Sequence, residues 1–379
     1  MKIILVTQNM NLSGGIERVL SVQANYWSKV KKYEVCIITW DADEQISFYP
    51  LDSNVFIRNI KVGVRKKIID RIPGISFLRY LNQAKELFQV AIKEEKPDVI
   101  VSMMQGIDCY FLSSVAGGIP IIGVNHITLK MRLGKFESKF MCKVKKQLIF
   151  YLKMKLFRKY NAIVALSKTD ANNFLKCKFH SFYIPNPLSF DGLSVDFKRS
   201  RKKHIIMVGR IDYLKGQDRL LHIWSRLAFN YPDWKLIFVG DGDNINVLME
   251  MIEKMKLQDR VDIIKKSNNI PALLMNASIS AFTSRVESFG MVILESFSCG
   301  LPVIAYDCEN GPRDLIKDGY NGFLIKDNNV EDYCMKLQYL MNSEDVRKQM
   351  GKNALSSTSV FSIDNVMNKW DDLFSYVCN

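Results

Sequence analysis

The residues best equipped for chemistry lie in one run, Ser284-Arg285-Val286-Glu287-Ser288-Phe289-Gly290-Met291-Val292-Ile293-Leu294-Glu295. A strand should end near Ser284 and a helix should begin near Gly290, which puts Glu287 in the loop and Glu295 in the second helical turn. Two carboxylates so placed can face one cleft, and each can accept two hydroxyl hydrogen bonds. The helix N-terminus between them offers amide donors and a positive dipole end to an anion. Phe289, Gly290 and Met291, where the helix begins, would line the bound ligand together with the two glutamates. The spacing Glu-x7-Glu is not specific alone, because Glu86 and Glu94 share it inside an ordinary charged helix.

Other runs share that placement at the end of a strand. Val208-Gly209-Arg210-Ile211-Asp212-Tyr213-Leu214-Lys215-Gly216 sets two cations in a glycine-bounded turn, where they can neutralise a diphosphate. The plainer reading is two solvated surface charges. Gly240-Asp241-Gly242-Asp243 lets a base or ribose lie against the backbone, and its Asp-x-Asp could hold a divalent metal; turn chemistry explains it more simply, and no metal site is expected. Gly14-Gly15 follows the first strand and opens a helix, which suits a phosphate or a plain tight turn. The dinucleotide pattern Gly-x-Gly-x-x-Gly is absent there, against a nicotinamide enzyme. His126 ends a strand, where it serves structure or donates a hydrogen bond to a reacting sugar.

These turns need strands and helices to hold them. Candidate strands in the first half are Lys2–Thr7, Glu34–Trp40, Asp98–Met103, Pro120–His126 and Ala162–Ser167, with helices at Gly15–Val30 and Phe77–Lys96. The second half has strands at Lys203–Val208, Lys235–Val239, Val261–Ile264, Ile279–Thr283 and Pro302–Tyr306. Its helices fall at Gln217–Phe229, Ile245–Lys256, Met291–Cys299 and Val330–Met341. Near-continuous apolar strands alternating with helices predict α/β domains with doubly wound parallel sheets. Pro185 and Pro187 break the pattern between the halves. The expected organisation is 1–187, 188–360 and a final helical segment 361–379. Two such domains would face each other across a cleft, and ligands bind beyond the carboxyl ends of the strands.

The 379 residues carry a net charge of +14, and all of the excess lies in the first half. Residues 1–190 hold 29 Lys/Arg and 14 Asp/Glu, and residues 191–379 hold 24 and 25. The first half should therefore meet something anionic. Residues 130–159 hold eleven Lys/Arg, among them Lys143, Lys145, Lys146, Lys153 and Lys155, against the single acid Glu137. Apolar residues interleave with them, so the segment suits an anionic membrane surface or a solvated helix face. No nucleic-acid module accompanies the charge. Eight scattered cysteines without a Cys-x-x-Cys pair suggest a reducing compartment. The N-terminus lacks a signal-peptide layout and no run of 18 apolar residues exists, so a cytoplasmic protein, peripheral on the inner membrane face, is expected.

In combination these motifs resemble the GT-B-fold glycosyltransferases of family 4, the retaining Glu-x7-Glu group that includes many bacterial capsule, O-antigen and lipid-linked oligosaccharide enzymes. The resemblance spans nearly the whole chain and is densest from Met207 to Ile325. It rests on Gly14-Gly15, His126, Ala165-Leu166-Ser167, Ile184-Pro185-Asn186, Gly209-Arg210 with Lys215-Gly216, Gly240-Asp241-Gly242, and Glu287-Ser288-Phe289-Gly290 with Glu295. Cys299-Gly300-Leu301-Pro302 and Gly319-Tyr320-Asn321-Gly322 add to it. Asp307-Cys308-Glu309-Asn310-Gly311-Pro312-Arg313-Asp314 resembles members that use galactose-type or N-acetylhexosamine donors.

The resemblance implies that Arg210 and Lys215 grip the diphosphate of a UDP-sugar co-substrate and that Glu295 binds the ribose. It implies that Glu287 contacts the donor sugar, that His126 assists at the sugar, and that Gly14-Gly15 lines the phosphate and acceptor side. The acceptor would be a saccharide, polyprenyl-diphosphate- or lipid-linked, and the last helix would cross back to the first domain. No separate cofactor is implied. Two departures stand out: the family's Asn-Gly is Asn186-Pro187 here, and a glycine after the third strand of the second domain is replaced near Lys265-Lys266-Ser267. Two further readings stay open: a nucleotide-sugar epimerase on the same architecture, and a non-catalytic nucleotide-sugar-binding protein.

Overall fold

The computed structural model describes all residues except 13, 41–45, 63–74, 129–139, 190–193, 266, 268, 309 and 379, and omits the side chains of 75–76 and 140–147. The chain divides into two compact units, Met1–Pro187 with Ile363–Asn379, and Leu188–Ser362.

Unit 1 is built on β1 (Lys2–Val6), β2 (Glu34–Thr39), β3 (Val55–Asn59), β4 (Val99–Ser102), β5 (Ile121–Asn125), β6 (Ala162–Ala165) and β7 (Ser181–Tyr183). All pair in parallel in the order β3-β2-β1-β4-β5-β6-β7. The central strands are buried end to end, as parallel strands covered on both faces must be. The described helices are α1 (Gly15–Lys29), α2 (Ile75–Glu95), α3 (Asp108–Val115), α4 (Phe140–Phe157) and α5 (Lys168–Lys176). Aromatic side chains fill the core, with Phe88 between Trp40 and Phe111 at ring distances of 6.0 and 5.1 Å. The last helix, residues Ile363–Cys378, belongs to this unit. Its Trp370 meets Trp27 of α1 edge-on at 5.6 Å, and its Asp364 accepts from the Tyr26 hydroxyl at 2.8 Å.

Unit 2 repeats the plan with β8 (His204–Val208), β9 (Lys235–Val239), β10 (Val261–Ile264), β11 (Ile279–Phe282), β12 (Val303–Asp307) and β13 (Gly322–Lys326), all parallel in the order β10-β9-β8-β11-β12-β13. Its helices are α6 (Gln217–Ser225), α7 (Ile245–Lys254), α8 (Ile270–Asn276), α9 (Met291–Ser298), α10 (Pro312–Leu315), α11 (Val330–Asn342) and α12 (Glu344–Ser356), so the Ile363–Cys378 helix is α13. Trp224, Phe238, Tyr306 and Tyr333 anchor the main core.

Strand order fixes where each unit can bind. Chain order reverses between β1 and β4 in unit 1 and between β8 and β11 in unit 2. Connections leave a switch point toward opposite faces of the sheet, which opens a crevice at the carboxyl ends of the two strands. Gly14-Gly15 lies beyond β1. The Gly209–Gly216 turn lies beyond β8, and Glu287 lies beyond β11.

Candidate functional site

The unit 2 switch point is built from two joined turns. The first follows β8. Asp212 organises it, accepting the Lys215 backbone N–H at 2.9 Å and the Arg210 Nε–H at 2.6 Å. Gln217, at the start of α6 and 3% exposed, donates its side-chain amide to the Arg210 carbonyl at 2.9 Å. Gly216 is left-handed, φ 75°, and a Cβ there would come within 2.4 Å of the Thr283 carbonyl oxygen. Only glycine lets this turn close on the end of β11. Thr283 answers by donating its hydroxyl to the Gly216 carbonyl at 2.7 Å.

The second turn follows β11. Lys215 Nζ lies 2.5 Å from Glu287 Oε1, and the Ser284 hydroxyl donates to the same oxygen at 3.0 Å. Arg285 adds a bidentate pair with Asp218, at 2.9 and 2.6 Å. Burial pushes the Asp218 carboxyl up, but the Arg285 bonds and charge outweigh it and hold the carboxyl below its usual range. Gly290 then caps α9. Phe289 is 2% exposed with its ring edge-on to Phe361 at 6.0 Å, so its main chain rather than its ring is what a ligand would meet. Met291 opens α9, and Glu295, one turn further, is 2% exposed. The two carboxylates therefore differ: Glu287 sits against a cation at the turn and Glu295 lies inside.

Neighbouring turns complete the surroundings. Gly209 receives contact from the turn after β9: Gly240 has φ 146°, and a Cβ on it would lie 2.0 Å from the Gly209 carbonyl oxygen. The Ile211 N–H donates to the Asp241 carbonyl at 2.9 Å, and Asp241 Oδ1 accepts the Gly242 N–H at 2.8 Å, which is a turn role. The loop after β12 backs Glu287. Burial pushes the Cys308 thiol there up to about 12, so it stays protonated beside the carboxylate. Arg313 clasps Asp307 at the base of that loop at 2.9 and 2.8 Å.

In unit 1, Gly14 is the N-cap of α1 and Gly15 its first residue. The Glu17 side chain curls toward Gly14, and burial raises its carboxyl above the usual range. His126 follows β5 and places Nε2 3.2 Å from Met103 Sδ, beside the end of β4. Lys153 and Lys155 lie on α4, over the rings of Tyr110 at 4.7 Å and Tyr151 at 5.1 Å. Lys143, Lys145 and Lys146 are on the same helix with side chains outside those described, and residues 130–139 of the basic segment also fall outside.

Sequence reasoning named Arg210, Lys215 and Glu287 but missed Asp212, Gln217, Ser284 and the Arg285–Asp218 pair. Asp212 was findable, since an aspartate three residues before Lys215 is a turn signature. The Arg285–Asp218 pair spans 67 residues and has no local signal.

Comparison with known proteins agrees with this architecture. The family described as Glycosyltransferase Family 4 matches residues 13–191, and the one described as Glycosyl transferases group 1 matches residues 194–357. The amylovoran biosynthesis glycosyltransferase AmsD of Erwinia amylovora is 27% identical over 99% of both chains. An alpha-1,4-N-acetyl-D-galactosaminyltransferase of Campylobacter jejuni, named for a GalNAc- and diNAcBac-bearing diphospho-undecaprenol, is 27% identical over 100% of this chain and 99% of its own. Among solved structures, a mutant of S. aureus TarM in complex with fondaparinux, alpha-GlcNAc-glycerol and UDP superposes with a TM-score of 0.80 at 15% identity, covering 98% of this chain and 99% of that one.

Proposed function

We propose that this chain, which belongs to the GT-B-fold glycosyltransferases of family 4, transfers a hexose or N-acetylhexosamine from a UDP-sugar to a saccharide acceptor with retention of anomeric configuration. Its setting is bacterial polysaccharide, lipopolysaccharide or lipid-linked oligosaccharide synthesis, as for its relatives. The observation that carries the reading is the Lys215–Glu287 pair at the β8/β11 switch point. Expelling a diphosphate requires positive charge where negative charge develops, and hydroxyl acceptors where the sugar lies. The joined turns supply both.

The geometry supports the following division of labour. Lys215 and Arg210 stabilise the departing diphosphate, and the α9 N-terminus at Gly290 adds main-chain amides to it. Fixed charges of this kind cost no reorganisation during reaction and need no metal. Glu287 accepts donor-sugar hydroxyls, while buried Glu295 accepts those of the ribose. The acceptor is assigned to unit 1, with Gly14-Gly15 and His126 at the carboxyl ends of its strands.

Membrane docking is part of the proposal. On α4, Leu148, Tyr151 and Leu152 are 60, 59 and 50% exposed, and Lys155 follows at the same helical spacing. An apolar stripe continued by Lys155 fits an anionic leaflet holding a lipid-linked acceptor. No described helix is long and apolar enough to cross a membrane.

The test is incubation with a panel of UDP-hexoses and UDP-N-acetylhexosamines plus lipid extract, followed by NMR of the product. Transfer with retained configuration supports the proposal. Isomerised donor without transfer supports an epimerase, and tight binding with no turnover supports a sensor.

A further inference from the structure

A donor site at the β8/β11 switch point needs two separate turns to agree in position. One carries Lys215 and the other carries Glu287, and 72 residues separate the two side chains in sequence. Thr283 and Gly216 join the turns at their bases. Arg285 makes a second junction further out, with far more contact than a surface ion pair needs.

Its backbone N–H donates to the Leu214 carbonyl at 2.7 Å. Its Nη1 donates to the Tyr213 carbonyl at 2.7 Å, and both terminal nitrogens fork onto Asp218 at 2.9 and 2.6 Å. The guanidinium lies 4.1 Å from the centre of the Tyr213 ring, which is itself 56% exposed. Residues 213, 214 and 218 bracket Lys215. On its own strand end, Arg285 sits between Ser284, which holds Glu287, and Glu287 itself.

We propose that Arg285 is a positioning residue: it clamps the Tyr213–Asp218 segment so that Lys215 is held in register with Glu287 when a nucleoside diphosphate binds. The inference rests on the donor-site reading above. A planar fork fits this task because it fixes carboxylate, carbonyl and ring together, which a lysine ammonium cannot do.

The test is a double-mutant cycle read by calorimetric binding of UDP to the full chain. Arg285→Lys, which keeps the charge, should weaken UDP about tenfold, a loss of about 1.4 kcal/mol. In a Lys215→Ala background the same change should cost less than twofold, because the group it positions is gone. Asp218→Asn should reproduce both results, and it carries the test if Arg285→Lys does not fold. Unchanged UDP affinity in Arg285→Lys and Asp218→Asn, or an equal loss with and without Lys215, would overturn the inference while leaving the donor site intact. Failure of the wild-type chain to bind UDP would remove the donor-site reading and this inference with it.

Discussion

Lys215 Nζ and Glu287 Oε1 are 2.5 Å apart, joined across two strands that are neighbours in the sheet but distant in sequence. The two opposite charges compensate each other. On the function proposed above, Lys215 would face the donor diphosphate and Glu287 the sugar hydroxyls. Under that proposal the two halves of the pair have separate roles, and each can be tested by itself.

Replacing Lys215 tests the first half. Removing one preorganised donor to a developing charge costs about 2.7–4 kcal/mol of barrier. Lys215→Ala should lower turnover by roughly a hundredfold or more with the fold intact by circular dichroism. Turnover near the wild-type rate would contradict the assignment.

Glu295 tests the ribose assignment. It is buried and lies one turn into α9. UDP should bind wild-type protein more tightly than its 2′,3′-dideoxy analogue, and Glu295→Gln should shrink that preference several-fold. A preference that survives unchanged would move the ribose elsewhere.

Arg201 is a stability element of unit 2. It donates to the carbonyls of Leu274 and Ala277 at the end of α8, and to that of Cys299 at the end of α9. Burial lowers its guanidinium from the usual value, and the three carbonyls compensate it. Each buried carbonyl left without a donor costs about 1–3 kcal/mol. Arg201→Leu should lower the unit 2 unfolding temperature by several degrees, with UDP affinity preserved in the folded protein. An unchanged melting temperature would show that the capping bonds contribute little.

Asp108 links stability to pH in unit 1. It is fully buried, accepts the Ser102 hydroxyl at 2.5 Å and the Gly106 N–H at 3.1 Å, and burial raises its carboxyl above the usual range. A folded carboxyl that holds its proton more tightly than the unfolded one contributes fully below about pH 4. That contribution is lost as pH rises through the folded value. Asp108→Asn should therefore show a shallower fall of unfolding temperature from pH 4 upward than the wild type. Parallel curves would refute this.

The α4 stripe makes the membrane proposal testable by flotation. The protein should rise with vesicles containing anionic lipid and stay behind with zwitterionic ones. Changing Leu148, Tyr151 and Leu152 to serine should abolish flotation without altering UDP binding. Flotation that ignores both lipid charge and these residues would remove the membrane part.

The sequence made the central strands legible because they are buried on both faces and read as unbroken apolar runs, as in Ile3–Val6 and Ile279–Phe282. β3 and β7 are hard to see in the sequence for the opposite reason. They are short edge strands with mixed burial, and Phe56 of β3 is 68% exposed. β13 reads in sequence only as a motif, because the turn residues Gly319 and Asn321 precede it so closely. Arg210, Lys215 and Glu287 could be named because charged residues just past strand ends are conspicuous. That Lys215 and Glu287 pair directly depended on β8 lying beside β11, a fact of topology that neither segment encodes locally.

Calorimetric titration of UDP into the wild-type chain and into Lys215→Ala measures the donor-binding role of Lys215 most directly. Saturable one-to-one binding to the wild type, weakened tenfold or more by the substitution, is the expected result. Equal binding by both, or none by a folded wild-type protein, would contradict it.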